Sequence, residues 1–283
     1  MLTPAKSSNL TRRLMYLLLL LYVAARILQP FVGKVPTLLI VVLHVLPPAT
    51  FAFLHGRTVY RTRGILVFMA VCLGVGAFFE SLGLRTGFPF GSYYFTDLMG
   101  PKVFQLPVLL VLAYVGMGYV SWVVGLLILG SPTRTLSGRQ VVLLPLVASF
   151  VMVAWDLAMD PVWTNIDRAW VWRNGGAYFG VPVSNFFGWY LTIYVIYQVF
   201  AIYLRNRAVR SLPLEFWRLP VLFYGASAAE NLLLAIPSST ATAVTGSNWM
   251  NSDIIGVCVL VSFFVMGPFT LIAWIRLAEG QQF

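Results

Sequence analysis

The feature that most constrains this chain is a succession of apolar stretches, each about as long as a membrane-spanning helix. Such a helix needs about 20 mostly apolar residues. With 59% hydrophobic and only 10% charged residues, the chain has more apolar side chains than a water-soluble domain carries. We therefore predict one all-α integral-membrane domain over residues 1–283, a polytopic bundle of about eight transmembrane helices. The predicted spans lie near 14–31, 36–54, 64–82, 104–129, 139–159, 184–204, 216–236 and 253–275.

The net charge of +10 fits orientation in a membrane rather than binding of nucleic acid, because the basic residues are spread over short connections between the apolar stretches. Cytoplasmic connections are enriched in Lys and Arg. Most basic residues of this chain fall on the side that holds both termini. We therefore expect a protein of the bacterial inner membrane with both termini in the cytoplasm. The residues on that side are Lys6, Arg12, Arg13, Arg57, Arg61, Arg63, Arg134, Arg139, Arg205, Arg207, Arg210, Arg218 and Arg276. Those assigned to the other side, in connections or near helix ends, are Arg26, Lys34, Arg85, Lys102, Arg168 and Arg173.

The acidic residues show the opposite bias. Most of the nine Asp and Glu residues fall at helix ends or in loops on the predicted non-cytoplasmic side, although the helices that carry them are distant in sequence. This clustering at one membrane face is the first indication of a site. The residues are Glu80, Asp97, Asp156, Asp160, Asp167, Glu230 and Asp253.

Four of these carboxyl groups are predicted to be buried. Asp156 and Asp160 share one helix face, and Pro161 is expected to end that helix. Glu230 lies roughly 10 Å along its helix from the end, and Glu80 ends an apolar stretch. An ionised carboxylate at membrane depth is costly unless it is protonated, paired with a cation or facing a wet cavity. Buried acids without nearby basic partners therefore indicate a functional site.

Other polar residues have simpler interpretations. We expect Asp97 and Asp253 to be solvated or to cap helices, Asp167 to form a surface pair with Arg168, and Glu80 to have Arg85 as an alternative structural partner. The sequence lacks the common metal-binding and nucleotide-binding motifs, and its D-x-x-x-D pair is a weak match to an Mg²⁺–diphosphate site. We predict no metal and no cofactor. Packing or interface roles toward the cytoplasmic side are predicted for His44 and His55, and Cys72 and Cys258 are read as small hydrophobes.

Two unusual loops fall on the acid-rich side, over residues 83–105 and 159–190. Both interleave aromatic residues with Gly and Pro. Non-helical backbone at membrane depth is tolerated where protein covers it or where it lines a cavity. Aromatic faces also stabilise nearby cations, including carbocations. We predict that the two loops are structured and roof a cavity that contains the acids.

The same region resembles a known family, the integral-membrane carotenoid hydratases of the γ-carotene 1',2'-hydratase and bacterioruberin-pathway type. Two blocks carry the resemblance, FESLGLRTGFPFGSYYFTDLMGPKVFQLPVLLVLAY and AWDLAMDPVWTNIDRAWVWRNGGAYFGVPVSNFFGWYLT. It is densest over about residues 74–195. The resemblance implies addition of water to the terminal isopropylidene double bond of an acyclic or monocyclic carotenoid, giving a tertiary hydroxyl group. A protonated carboxyl group in an apolar pocket suits the proton donation that this reaction requires.

These observations give candidate residues and partners. The predicted catalytic residues are Asp156, Asp160, Glu230 and Glu80. The predicted substrate-binding residues are Tyr93, Tyr94, Asp97, Trp155, Trp163, Tyr178, Asn185 and Asn231. The expected partners are a carotenoid such as γ-carotene or lycopene, the lipid bilayer and other enzymes of the same pathway. Two alternatives stay open, a proton-coupled transporter and a cofactor-free polyene or prenyl cyclase or transferase.

Overall fold

The computed structural model describes residues 9–31, 34–130, 135–136, 138–205, 207, 212–235 and 249–279. Helices dominate these residues, which confirms the predicted all-α helix bundle. The helices are α1 (Asn9–Leu28), α2 (Thr37–Thr86), α3 (Val108–Ile128), α4 (Gln140–Asn165), α5 (Val183–Leu204), α6 (Leu214–Ala235), α7 (Asn251–Val261) and α8 (Gly267–Ala278). Short 3₁₀ turns cover Gln29–Phe31 and Asp97–Met99, and a π-helical turn, Ser262–Met266, joins α7 to α8.

The predicted apolar stretches lie mainly on these helices, and the last of them extends over α7, the π-helical turn and α8. Within the described residues, six helical segments are long and apolar enough to cross a membrane: α1 with the following 3₁₀ turn, α2, α3, α4, α5, and α7 together with α8. Helix α6 is not among them, and it carries Glu215, Arg218 and Glu230. The protein is therefore a membrane protein, and a long helix outside this set contains Glu230, one of the predicted site residues.

Helix α2 combines two of the predicted spans. Its 50 residues correspond to about 75 Å of helix, far more than the roughly 30 Å hydrocarbon core of a bilayer. The helical geometry is interrupted at Arg61, where φ is 62° and ψ is 170°. The stretches predicted near 36–54 and 64–82 are thus the two arms of one kinked helix.

Helix α3 lies at the centre of the bundle. It has no charged residue and is apolar on every side, as expected of a helix buried all round. Two of its glycines allow close helix packing. A Cβ atom on Gly116 would lie 2.8 Å from the backbone nitrogen of Ala49 in α2, and one on Gly125 would lie 2.9 Å from Cα of Ala148 in α4.

Helix α2 contains Pro47 and Pro48, and three further prolines lie inside α4 and α6, at Pro145, Pro161 and Pro220. The prediction that Pro161 ends its helix is wrong, since α4 continues to Asn165. Proline lacks the N–H that would bond the carbonyl four residues earlier, and at each of the three prolines in α4 and α6 a side chain from another part of the chain donates to that carbonyl instead. The carbonyl and donor pairs, each at 3.1 Å, are Val141 with Gln198, Leu157 with Tyr178, and Phe216 with His55.

Short strands tie the two long loops together. Strand β1 (Tyr93–Phe95) pairs antiparallel with β4 (Trp170–Trp172), with Tyr93 opposite Trp172 and Phe95 opposite Trp170. Strands β2 (Lys102–Val103) and β3 (Leu106–Pro107) form a second antiparallel pair. The β1–β4 pair places both loops over the same end of the bundle, where α2, α4 and α5 present their polar residues.

Candidate functional site

The acid pocket, as we name it, is built around Glu80, Asp156, Asp160 and Asn185, which come from α2, α4 and α5. Asp156 and Asp160 lie one turn apart on the same face of α4, as predicted. The three carboxylic residues are each 3% exposed or less. No Lys, Arg or His is among the residues that line the pocket. Three buried acids therefore share a site whose lining supplies no compensating positive charge.

The amide of Asn185 bridges the two aspartates. Its Nδ2 atom donates to Oδ2 of Asp156 at 3.2 Å and to Oδ2 of Asp160 at 2.7 Å. The other oxygen of Asp160 accepts from Nε1 of Trp170 at 2.8 Å. By contrast, Oδ1 of Asp156 is buried and has no hydrogen-bond donor among the described residues. The two aspartates thus occupy different environments, one saturated with donors and one not.

Glu80 is held by two phenols. Tyr93 donates to its Oε2 at 2.5 Å and Tyr114 donates to its Oε1 at 2.6 Å. Burial, together with the charge of Glu80, raises the pKa of Tyr93 in β1, so this phenol keeps its proton and remains a donor. Among the described residues the side-chain donors to Glu80 are these two tyrosines. Arg85, the alternative partner predicted from the sequence, is not one of its donors.

Aromatic side chains form the walls and roof of the acid pocket. Trp189 stacks on Tyr114 with ring centroids 4.7 Å apart and planes 8° from parallel. The two long loops both contribute to the lining, as predicted, through Phe90, Tyr93, Phe95, Trp170 and Trp172. The space open to the centre of a water molecule is about 30 Å³. Since one water needs at least roughly 10–15 Å³ on this measure, the pocket has room for one or two waters.

A second cavity adjoins the acid pocket. Leu110, Met159 and Trp170 line both spaces and form the partition between them. The second cavity offers about 50 Å³ to the centre of a water molecule. Its remaining lining residues are Arg26, Val41, His44, Val45, Met99, Ala113, Met117, Trp155 and Trp163. It is therefore mostly apolar, with two basic side chains in its wall.

Glu230 lies outside the acid pocket, in a separate polar cluster beside the second cavity. It forms a buried ion pair with Arg26, and its Oε1 lies 3.3 Å from Nε2 of His44. The expectation that the buried acids lack basic partners is therefore wrong for Glu230. Arg26, assigned from the sequence to an outer position as an orienting charge, lies within α1 and is 3% exposed.

His44 and Asp167 extend this cluster through Gln29. Nε2 of His44 lies 3.0 Å from Oε1 of Gln29, whose Nε2 donates to Asp167 at 3.2 Å. His44 is buried and packs edge-on against Tyr22 and Trp163 in addition to joining this cluster. The predicted surface pair of Asp167 with Arg168 is wrong, because Asp167 is buried. Burial raises the pKa of Asp167 to about 7, although the Gln29 hydrogen bond acts in the opposite direction.

The other candidate residues do not line the acid pocket. Asp97 is exposed and paired with Lys102 at 2.8 Å, and the Lys102 ammonium lowers the pKa of Asp97. Tyr94 points outward, with the Arg173 guanidinium 5.6 Å from its ring. Tyr178 bonds the backbone of α4, as described above. Trp155 and Trp163 line the second cavity.

Asn231 is buried and its amide connects α6 to α4 and to the π-helical turn. Its Nδ2 donates to the carbonyl of Ala158 at 2.8 Å and to the Ser262 hydroxyl at 2.9 Å. Asp253 accepts from the backbone of Met250 at the start of α7, which is the capping role predicted for it. Among the residues that the structure describes, no three His, Cys, Asp or Glu side chains are grouped so as to hold a metal ion.

Sequence patterns did not place Tyr114, Arg26 or Gln29 in the site, and they indicated Trp170 and Trp189 only as members of an aromatic-rich loop. Tyr114 lies in an unbroken apolar stretch, where a tyrosine is indistinguishable from a packing residue. Arg26 carried a usable signal, since a cation inside an apolar stretch needs an acidic partner. That partner is distant in sequence, and local patterns do not reveal it.

Comparison with known proteins identifies the family but no individual relative. A search of curated proteins and a search of solved structures each found no match. A family model described as carotenoid biosynthesis protein matches residues 34–250, which include the acid pocket, both loops and most of the helical bundle. The chain therefore belongs to the carotenoid biosynthesis protein family.

Proposed function

We propose that the protein is a carotenoid hydratase, which adds water across the terminal isopropylidene double bond of an acyclic or monocyclic carotenoid. The observation that carries the proposal is the acid pocket: three buried carboxylic side chains, no basic residue in the lining, aromatic walls, and space for one or two waters. Family membership supports a role in carotenoid biosynthesis. The chemistry of the pocket supports the choice of reaction.

The first step is protonation of the alkene. Two carboxyl groups one helical turn apart, buried and bridged by one amide, repel each other when both are ionised, so the pair favours sharing a proton. We assign the proton to Asp156, because its Oδ1 has no donor among the described residues while both oxygens of Asp160 accept hydrogen bonds. Asp156 gives this proton to the CH carbon of the terminal double bond. The π electrons form the new C–H bond, and a tertiary carbocation remains.

The second step is capture of the cation by water. A lone pair of a water molecule forms the C–O bond at the tertiary carbon, and the surplus proton of the resulting oxonium returns to the Asp156–Asp160 pair. The net change is the addition of one water, without oxidation or reduction. Glu80 and the rings of Trp189 and Trp170 stabilise the cation through charge and through their π faces.

The apolar second cavity accommodates the methyl groups of the substrate end. Met99, Met117 and Met159 contribute to its wall, and methionine side chains adapt readily to irregular ligands. A carotenoid is far longer than either cavity, so the proposal requires only its end group to enter while the polyene extends into the bilayer.

Expression in a host that makes γ-carotene or lycopene tests the proposal. With the wild-type chain we expect a pigment heavier by one water, whose oxygen derives from heavy-oxygen water in the medium. Asp156→Asn and Asp160→Asn should lower the rate of its formation by about 100-fold or more. Asp97→Asn is the matched control, because this exposed aspartate pairs with Lys102, and it should keep full activity.

Two outcomes contradict the proposal. A pigment with shifted absorption and unchanged mass indicates cyclisation rather than hydration. An unchanged pigment pattern, with the protein present in the membrane, is the result expected of a transporter. If both aspartate variants hydrate the pigment at the wild-type rate, the hydratase assignment stands but Asp156 and Asp160 are not catalytic residues.

A further inference from the structure

Within the described residues, the buried polar atoms that the second cavity leaves unpartnered are all hydrogen-bond donors. Nε of Arg26 and Nε1 of Trp155 are both buried, and neither has an acceptor among the described residues. Both residues line the second cavity. A buried donor without an acceptor is unfavourable, so two such donors beside one space indicate a ligand that supplies an acceptor.

The acid pocket leaves one buried group of each kind unpartnered among the described residues, the acceptor Oδ1 of Asp156 and the donor Nε1 of Trp172. The partition of Leu110, Met159 and Trp170 separates the two spaces. The second cavity therefore differs in having unpartnered donors alone, and it suits a group that accepts hydrogen bonds.

The charge of the second cavity narrows the ligand further. The guanidinium of Arg26 is already paired with the carboxylate of Glu230, so an anionic ligand would meet a compensated cation and a nearby negative charge. The ring nitrogens of His44 are already within hydrogen-bond distance of Ile40, Gln29 and Glu230. The rest of the lining is aliphatic, sulfur-containing or aromatic. The matching ligand is a neutral oxygen, either a water molecule or a hydroxyl group on a hydrocarbon.

We propose that the second cavity is the binding site for this oxygen, and that it holds the tertiary hydroxyl group of the hydrated end. The inference rests on the proposed function for the identity of the alcohol. Trp155 and Arg26 are positioning residues in this scheme. They retain the oxygen after the C–O bond has formed and keep it on the side of the partition away from the aspartates, which disfavours the reverse reaction.

A binding measurement that needs no catalysis tests the proposal. The probes are tetrahydromyrcenol, a saturated terpenoid tertiary alcohol, and its parent alkane, each isotopically labelled. Equilibrium binding to the purified protein in nanodiscs is corrected for uptake by empty nanodiscs. We expect the wild-type protein to prefer the alcohol, and Trp155→Phe to lower alcohol affinity about five-fold, the effect of one hydrogen bond, without a matching loss for the alkane.

Two variants serve as controls. Trp163→Phe makes the same reduction in side-chain size in the wall of the same cavity as Trp155→Phe does. It leaves the unpartnered Nε1 of Trp155 in place. Trp217→Phe removes a buried unpartnered indole N–H that does not line the cavity. Both should keep the wild-type preference for the alcohol over the alkane.

The outcomes separate this inference from the proposed function. Absence of an alcohol preference in the wild-type protein, or an equal loss for alcohol and alkane in Trp155→Phe, overturns the oxygen site. A water-only site gives the first of these results, because the bulkier alcohol gains nothing there. A selective loss in Trp155→Phe, together with a host that forms no hydrated pigment, supports the oxygen site and contradicts the hydratase assignment.

Discussion

Arg26 and Glu230 form a buried ion pair although 204 positions separate them in the sequence. The pair joins α1 to α6, whose described residues are not in the set long and apolar enough to cross a membrane. Arg26 therefore compensates the charge of a buried acidic residue on α6. The same pair withdraws Glu230 from the acid pocket and makes it part of the wall behind the second cavity.

Breaking this pair from one side should strongly destabilise the protein. We expect Arg26→Met to cost about 3–5 kcal/mol, because it leaves the buried Glu230 carboxylate uncompensated. The double variant Arg26→Met/Glu230→Gln should be more stable than Arg26→Met alone. Thermal unfolding in detergent measures both. Glu279→Gln is the control, since it breaks an exposed pair with Arg276 that should be worth less than about 1 kcal/mol. A double variant no more stable than Arg26→Met would contradict the interpretation.

Tyr93 and Tyr94 provide a matched test of the acid pocket. Tyr93 donates to Glu80, whereas Tyr94 is 42% exposed. Removing one buried hydrogen bond to a carboxylate costs about 1.5–3 kcal/mol, so Tyr93→Phe should slow hydration by about ten-fold or more. Tyr94→Phe should have little effect. Pigment analysis in the producing host gives the rates, and equal effects of the two changes would remove Glu80 from the site.

Asp167 should make stability depend on pH. Its pKa in the folded protein is raised from 3.8 to about 7, so the folded state holds more protons than the unfolded state between these values. The stabilisation is complete below about pH 4 and is lost as the pH rises through 7, for a total of roughly 4 kcal/mol. Asp167→Asn cannot ionise and should be more stable than the wild-type protein at pH 8, with the difference shrinking toward pH 4. A stability difference between the two proteins that stays constant from pH 4 to pH 8 would show that Asp167 does not titrate as described.

Tyr178 should be required only because Pro161 is present. Tyr178→Phe leaves the carbonyl of Leu157 without its donor and should cost about 1–3 kcal/mol. Pro161→Ala restores an N–H that bonds this carbonyl within the helix. The double variant should therefore recover most of the stability lost by Tyr178→Phe. Additive losses, measured by thermal unfolding, would mean that Tyr178 stabilises the protein in some other way.

The sequence predicts the helices of this protein well because their signal is local. An apolar stretch of sufficient length indicates helical structure, although two predicted stretches are arms of α2 and one is divided between α7 and α8. The pairing of Asp156 with Asp160 is equally local, since helical periodicity alone puts both on one face. The length of α4 was not predictable in this way. Whether Pro161 ends that helix depends on Tyr178, a residue of a loop that follows it.

The remaining parts of the site depend on contacts between distant segments. Tyr114 completes the environment of Glu80 from the middle of α3, and nothing in its neighbourhood marks it. The partners of Arg26 and Asp167 depend on how α1 and its 3₁₀ turn pack against α2 and α6. Charge counting placed Arg26 at the outer side as an orienting residue because that method considers position along the chain and not depth in the bundle.

The antiparallel pairing of β1 with β4 has a consequence for how the chain can vary. Successive side chains of a strand alternate between its two faces, so a slip of one residue reverses them all. In the present alignment Tyr93 faces inward and Tyr94 faces outward. Inserting or deleting a single residue next to either strand would exchange the two tyrosines and withdraw a proton-bearing hydroxyl from Glu80. We therefore expect a length change next to either strand to disrupt the acid pocket.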